Sequence, residues 1–279
     1  MEAYLLQCPA EIRNQIYMLV LKEPGGLQYH EEIVGTQTIG KLYTRTPEGA
    51  SDTHVATEAN QLRFVNRQLH EETRGLGLKY NKIIFIEPNN SKEDMYAQFQ
   101  RFLSNISPAR KASIHAITIV ITKEIRHDQK HRRRVMDSSN PLVRFAQEYP
   151  TIKVKIRHYA LDNERKFLVV AFIFQHRFRG HDTFLRNLHD ITFGNEDVMR
   201  PIIWHVQREL RFWCPQAGDA QPFPDNIRIF PSNRWITQTS LLETMRKPRH
   251  HPFWTEFETA GVSRCMCSSW AGRIYREGI

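Results

Sequence analysis

The chain has 279 residues, of which 41% are hydrophobic and 25% are charged, and its 39 basic and 30 acidic residues leave a formal net charge of +9. This length and composition are typical of a folded globular protein and argue against a disordered chain. The excess of positive charge favours polyanionic partners, such as nucleic acid or acidic protein surfaces.

The hydropathy pattern indicates no membrane segment. A membrane span needs roughly 18 to 20 apolar residues, and the longest apolar stretch covers only residues 167–174. The N-terminus lacks the basic start, apolar stretch and cleavage site of a secretory signal. The four cysteines are too few and too unevenly spread for a disulfide scaffold. We therefore expect an intracellular protein, cytoplasmic or nuclear, that does not bind membranes.

The first predicted element is an amphipathic helix of moderate length. Its apolar positions are Leu5, Leu6, Ile12, Ile16, Leu19 and Val20. Pro9 and Glu11 suit its first turn, because proline loses no hydrogen bond there and a carboxylate meets the positive end of the helix. Pro24 and two glycines then end the helix. The alternating, β-branched character of residues 27–61 predicts a small hairpin followed by an irregular loop.

Residues 62–86 form the stretch around which the chain is organised. Four apolar residues recur near helical spacing and predict one amphipathic helix: Leu62, Val65, Leu69 and Leu76. Gly75 and Gly77 weaken this helix near its end. A turn at residues 80–81 then leads into the apolar run 83–86, which is typical of a buried strand.

A regular alternation follows. Strands are predicted at residues 83–86, 114–122 and 152–157, with helices at 94–104 and 141–148 between them. The strand starts recur about every three dozen residues, which is the spacing of consecutive βαβ units and favours parallel strands with right-handed crossovers. The third strand alternates apolar and basic residues, a pattern typical of a strand that is exposed on one face, as at the edge of a sheet.

The remaining pattern is mainly helical. Helices are predicted at residues 164–178, 181–188 and 195–213, and a late strand at 227–230. We thus expect an α/β fold with an open, mainly parallel sheet, in a single domain that covers residues 1–279.

Within this domain we distinguish three parts. Residues 1–61 hold the N-terminal helix and hairpin, residues 62–160 the βαβ core, and residues 161–279 a helical and mixed C-terminal part.

Catalytic signatures are absent from the sequence. There is no phosphate-binding glycine loop, nucleophile elbow, zinc-protease histidine pair or kinase motif set. Two sets of metal-ligating residue types do occur: His176, His181 and His189 with Asp182 and Asp190, and Cys265 and Cys267 with His250 and His251. Their spacing does not fit the ligand pairs of structural zinc sites. We therefore expect a protein that is not an enzyme, with no catalytic residues, no metal site and no cofactor.

Two stretches resemble a known family. Residues 5–21, LLQCPAEIRNQIYMLVL, are similar to the opening signature of fungal F-box-like proteins, with its leucine, proline, E-I-R and I-Y positions. Residues 62–86 resemble the second signature, an R-Q-x-x-x-E core followed by a tyrosine, an asparagine and an apolar strand. The matching residues of the second signature are Arg67, Gln68, Glu72, Tyr80, Asn81 and Phe85.

The resemblance implies a protein–protein interaction module. In F-box proteins an N-terminal three-helix segment docks on the Skp adaptor of a cullin ubiquitin ligase, and the rest of the chain captures a substrate. The family likeness thus implies a Skp-type adaptor as partner, bound through Pro9, Glu11, Ile12, Ile16 and Tyr17.

The same helix has a second interpretation. An apolar stripe on a helix commonly packs against the core of its own domain. In that case the helix covers the core, and Glu11 and Arg13 form local ion pairs.

The clustered basic residues suggest an alternative function in nucleic-acid binding. Residues 126–134 form a strongly basic loop that includes Lys130, Arg132, Arg133 and Arg134, and Arg249 belongs to a second cluster. Clustered lysine and arginine suffice to neutralise phosphates. The run from 130 to 134 fits a nuclear import signal or a solvated loop equally well.

Overall fold

A computed structural model describes residues 4–44, 57–87, 95–121, 140–162, 167–213, 222–232 and 264–279. In these ranges the protein is α/β, with a six-stranded, mostly parallel sheet. The chain divides into two compact units. The first unit comprises Met1–Ile119 with Thr151–Val154, and the second comprises Val120–Pro150 with Lys155–Ile279.

The strands of the sheet are β1 (Leu27–Val34), β2 (Gln37–Thr44), β3 (Lys82–Ile86), β4 (Ala116–Ile121), β5 (Lys153–His158) and β6 (Ile227–Pro231). They lie in the order β2-β1-β3-β4-β5-β6. β1 and β2 form an antiparallel hairpin, while β1 runs parallel to β3. The prediction of a mainly parallel sheet with an N-terminal hairpin is confirmed.

The α-helices of the described ranges are α1 (Tyr4–Gln7), α2 (Ala10–Leu21), α3 (Arg67–Thr73), α4 (Leu76–Tyr80), α5 (Met95–Ser104), α6 (Pro108–Ala112), α7 (Pro141–Glu148), α8 (Phe167–Arg179), α9 (His181–Thr192), α10 (Glu196–Trp213) and α11 (Arg264–Glu277). The same ranges contain two short 3-10 helices, Gln61–Phe64 and Tyr159–Asp162. Five predicted helices correspond to α5 and α7 to α10. None of the helices in this part of the chain is long and apolar enough to cross a membrane.

The prediction of one continuous helix from residue 62 is wrong. The chain instead forms the 3-10 helix, then α3, then α4. Asn66 separates the first two because its backbone is extended and its side chain accepts a hydrogen bond from the backbone N–H of Leu69, at 2.8 Å. An asparagine cap of this kind starts a new helix. Gly75 separates the last two because it adopts φ +89°, in the left-handed region that suits glycine.

Of the two predictions made for β5, one is confirmed and one is wrong. Its lysines are exposed while Val154 and Ile156 are buried, so the predicted alternation is confirmed. Its position at a sheet edge is wrong, because β5 lies between β4 and β6. The N-terminal helix also differs, since it is broken before Pro9 into α1 and α2.

Each unit has its own buried core. In the first unit the ring of Phe85 on β3 lies 5.3 Å from Phe99, 5.2 Å from Phe102 and 5.3 Å from Tyr29. In the second unit α8 is buried along almost its whole length, and the ring of its Phe172 stacks on that of Trp270 at 4.4 Å. The continuous apolar sequence of α8 is explained by this burial.

Candidate interaction surface

Helix α2 carries the first family-like signature and packs on the first unit through one face. Tyr17 and Leu21 are buried there together with Leu69 of α3. Tyr17 and Leu21 are four residues apart, so they lie one above the other on the same side of the helix. This face of α2 is part of the core of the unit.

A carboxylate from the second signature anchors the same face. Glu72 on α3 accepts two hydrogen bonds from the Arg13 guanidinium, at 2.9 and 2.8 Å, and one from the Tyr17 hydroxyl at 2.5 Å. Gln68 donates a fourth, at 2.8 Å. Paired hydrogen bonds of this kind fix the relative orientation of a guanidinium and a carboxylate. The two signatures are therefore two halves of one contact.

The electrostatics of this contact follow from its hydrogen bonds. The bonds from Arg13, Tyr17 and Gln68 favour the charged carboxylate and lower the pKa of Glu72 to about 2. Burial raises the pKa of the Tyr17 hydroxyl, and its bond to the Glu72 carboxylate raises it further. At neutral pH Glu72 is thus ionised, and Tyr17 is a neutral donor.

The asparagine of the second signature holds the end of α2. Asn81 is buried, and its amide group donates to the backbone carbonyls of Leu21, at 2.7 Å, and Gly77, at 3.1 Å. Its side-chain oxygen accepts from the backbone N–H of Glu23 at 2.6 Å. Since the last carbonyls of a helix have no partner within the helix, Asn81 satisfies a group that would otherwise stay unpaired. The side chain also joins α4 to the chain that leaves α2.

The opposite face of α2 is apolar and exposed. Ile12 is 44% exposed, Leu19 73% and Val20 55%. Ile12, Ile16 and Leu19 follow one another at intervals of four and three residues, so they form one stripe along the helix. Ile16 is half-buried within this stripe. Apolar side chains gathered on one exposed face are typical of a surface that binds another molecule.

The residues predicted to bind an adaptor are divided between the two faces. Pro9 and Glu11 are exposed at the start of α2, and Ile12 and Ile16 lie on the outward stripe. Tyr17 lies on the inward face, where it is fully buried. The helix therefore covers the core with one face, as one of the two interpretations predicts, and exposes apolar residues on the other.

The ion pair expected next to α2 is different from the one observed. The sequence predicts local ion pairs for Glu11 and Arg13, but Arg13 pairs with Glu72, 59 positions along the chain. The side chain of Arg13 also donates to the carbonyl of Cys8 at 2.6 Å. The sequence places Glu72 and Asn81 in the second signature, but nothing in the residues around them predicts that they contact α2.

The other candidate residues are histidines and aspartates of the second unit, cysteines near the C-terminus and basic clusters. His176 and His181 approach each other, with ring nitrogens 3.0 Å apart, but the described part of the chain holds no group of three or more side chains able to bind a metal ion. The side chains of Cys265, Cys267, His250 and His251 lie outside the described residues. So do the basic loop 126–134 with Lys130, Arg132, Arg133 and Arg134, and also Arg249.

Comparison with known proteins finds no family model, no curated protein and no solved structure that matches this chain. The resemblance to fungal F-box-like proteins stays a prediction.

Proposed function

We propose that this protein is a non-enzymatic protein–protein interaction module of F-box-like type, and that the outward stripe of α2, formed by Ile12, Ile16 and Leu19, docks a Skp-type adaptor of a cullin ubiquitin ligase. The observation that carries the proposal is that the two faces of α2 differ: one packs on the core and the other is exposed. The signature residues Arg13 and Tyr17 hold the helix in place, while Ile12 and Leu19 on its other side stay exposed on either side of the half-buried Ile16.

The physical basis of such docking is burial of the stripe. Each exposed isoleucine or leucine that becomes fully buried contributes about 1.5 to 3 kcal/mol. A helix that is already anchored on its own domain loses little conformational freedom on binding, so less of this gain is offset by ordering. The bond network at Glu72 provides that preorganisation.

The surface offered by this protein differs from a three-helix docking segment. Residues 27–44, which follow α2, form the β1–β2 hairpin and not two further helices. The proposed interface therefore depends on α2 itself, with the exposed Val20 at its margin. Substitutions that test the interface therefore belong on the exposed face of α2.

The test is co-purification of the full-length protein with a Skp-type adaptor at high salt, where electrostatic contacts are screened. The variant is Ile12→Asp with Leu19→Asp. Both side chains are exposed, so the substitutions are compatible with folding. We expect the wild type to retain the adaptor and the double variant to lose at least 90% of it.

Asn14→Asp with Met18→Asp is the matched control, since it adds the same two charges at exposed positions of the same helix that lie away from the stripe, neither being three or four residues from a member of it. Circular dichroism establishes that all three proteins are folded. Retention by the control and loss by the stripe variant support the proposal. Equal retention by both variants, or no retention by the wild type, contradicts it.

A further inference from the structure

The first unit contains a cleft that is distinct from the stripe on α2. It has a volume of about 470 Å³ and lies between the β1–β2 hairpin, residues 58–63, helices α3 and α4, and the segment from the end of α5 to α6. This volume lies in the range of small-molecule sites in proteins. Its apolar lining includes Leu27, Tyr29, Leu78, Phe102 and Ile106.

The charged lining of the cleft is strongly positive. Among the described residues, four basic side chains line it, namely Lys41, Arg63, Arg74 and Arg110, against one carboxylate, that of Glu58. Two of the cations are neutralised, since Lys41 pairs with Glu32 at 2.7 Å and Arg63 pairs with Glu58. Two positive charges are left over.

Arg74 and Arg110 provide these two charges. Within the described ranges neither guanidinium has a hydrogen-bond or ion-pair partner. Both line the cleft beside Gly75: Arg74 precedes it in the chain, and the side chain of Arg110 passes 3.7 to 3.8 Å from the position that a Cβ would take there. A guanidinium carries five N–H donors in a planar fork that matches an oxyanion. Two such groups beside one cleft favour a negatively charged ligand.

Two residues that line the same cleft carry unsatisfied polar atoms, an acceptor on Asn60 and a donor on Arg63. The Oδ1 atom of Asn60 and the Nε atom of Arg63 are buried, and each lacks a hydrogen-bond partner among the described residues. Asn60 also adopts φ +62°, which is uncommon for a residue other than glycine. Unpaired buried polar atoms and strained backbone concentrate at functional sites.

We propose that this cleft binds a small organic anion, in which a carboxylate or phosphate monoester is attached to an aromatic or aliphatic body. Arg74 and Arg110 hold the oxyanion at the rim. The apolar body contacts the lining formed by Tyr29, Phe102 and Ile106. This activity is independent of adaptor docking, because none of the cleft residues belongs to α2.

The experiment is a fluorescence titration of the full-length protein with 8-anilinonaphthalene-1-sulfonate, an aromatic anion whose emission rises in apolar surroundings. Phenylacetate, phenyl phosphate and benzyl alcohol then compete for the bound dye. We expect displacement by phenylacetate or phenyl phosphate and at least tenfold weaker displacement by the neutral alcohol. The more effective anion identifies the ligand as a carboxylate or as a phosphate monoester.

The variants are Arg74→Ala and Arg110→Ala, and Arg67→Ala is the matched control. Arg67 is an exposed arginine at the start of α3 that does not line the cleft. Losing one charge-assisted hydrogen-bonding group predicts roughly tenfold weaker dye binding for each cleft variant, and no change for the control. Thermal unfolding establishes that the variants are folded.

Dye affinity that is unchanged in the two folded cleft variants overturns the proposal, as does equal displacement by benzyl alcohol. Adaptor co-purification by Arg74→Ala and Arg110→Ala separates this result from the function proposed for α2. These variants retain the adaptor whether or not they bind the dye, since the stripe is intact.

Discussion

At the scale of single residues, Glu72 connects α3 to α2 across 59 positions of the chain. It is one carboxylate on a short helix, yet it orients Arg13 and Tyr17 on α2 through three of its four hydrogen bonds. Because these bonds form to the charged carboxylate and not to the neutral acid, the packing of α2 against α3 depends on the ionisation of Glu72.

This dependence predicts how stability varies with pH. The pKa of Glu72 is about 2 in the folded protein against an ordinary value of 4.5, so its contribution is fully present above pH 4.5 and is lost as the pH falls towards 2. Glu72→Gln removes this contribution. We expect a lower free energy of unfolding for the variant at pH 7 and a smaller difference from wild type at pH 3, measured by urea unfolding.

Glu71→Gln is the control for this prediction. Glu71 neighbours Glu72 on α3 and is exposed, so its neutralisation leaves the anchor of α2 intact. A difference between Glu72→Gln and wild type that is the same at pH 3 and pH 7 would show that the carboxylate charge does not hold the helix.

At the scale of elements, the β1–β2 hairpin depends on a close approach between its strands. Tyr29 on β1 is buried, and its ring packs 5.3 Å from Phe85 and 5.1 Å from Phe102. Its hydroxyl lies over Gly40 on β2, where an added Cβ would stand only 2.1 Å away. Since the aromatic neighbours hold the ring, only glycine fits at position 40.

Gly40→Ala therefore forces either Tyr29 or β2 to move. We expect the free energy of unfolding to fall by about 1 to 3 kcal/mol, the usual cost of overpacking. Gly77→Ala is the comparison, because a Cβ at Gly77 in α4 would meet its nearest atom, of Leu27, at an ordinary 3.4 Å. That change should be neutral or stabilise by up to about 1 kcal/mol. Chemical unfolding of both variants measures the contrast, and equal effects would refute the steric argument.

At the scale of the whole molecule, the formal charge of +9 favours the alternative function, nucleic-acid binding. Its candidate residues belong to the loop 126–134 and to Arg249, outside the described ranges. Adaptor docking and nucleic-acid binding depend on different surfaces. Adaptor docking depends on an apolar stripe, while polyanion binding depends on clustered charge and weakens steeply with salt.

Heparin chromatography tests whether the basic loop binds polyanions. If the loop binds polyanions, reversal of Arg132, Arg133 and Arg134 to glutamate should shift elution to distinctly lower salt. The matched control reverses three scattered and exposed arginines, Arg67, Arg144 and Arg186. It has the same net charge, so equal elution of the two triple variants would mean that retention reflects total charge and not the loop.

Several features of the fold could be predicted from the sequence because they depend on neighbours along the chain. Alternating apolar residues indicated the hairpin and β5, and the regular spacing of strands and helices indicated parallel pairing. Asn66 shows the limit of this reasoning. Its capping bond to Leu69 divides a stretch whose apolar spacing resembles one helix, since local side-chain hydrogen bonds compete with helix periodicity.

The sequence by itself determined the class of the protein: an α/β chain with excess positive charge and two family-like signatures. Only the tertiary structure decided which side of α2 faces the core, because both sides of that helix carry apolar residues. It also decided that Arg13 pairs with Glu72 and that Arg74 and Arg110 line one cleft. Such contacts join residues tens of positions apart, and no periodicity along the chain encodes them.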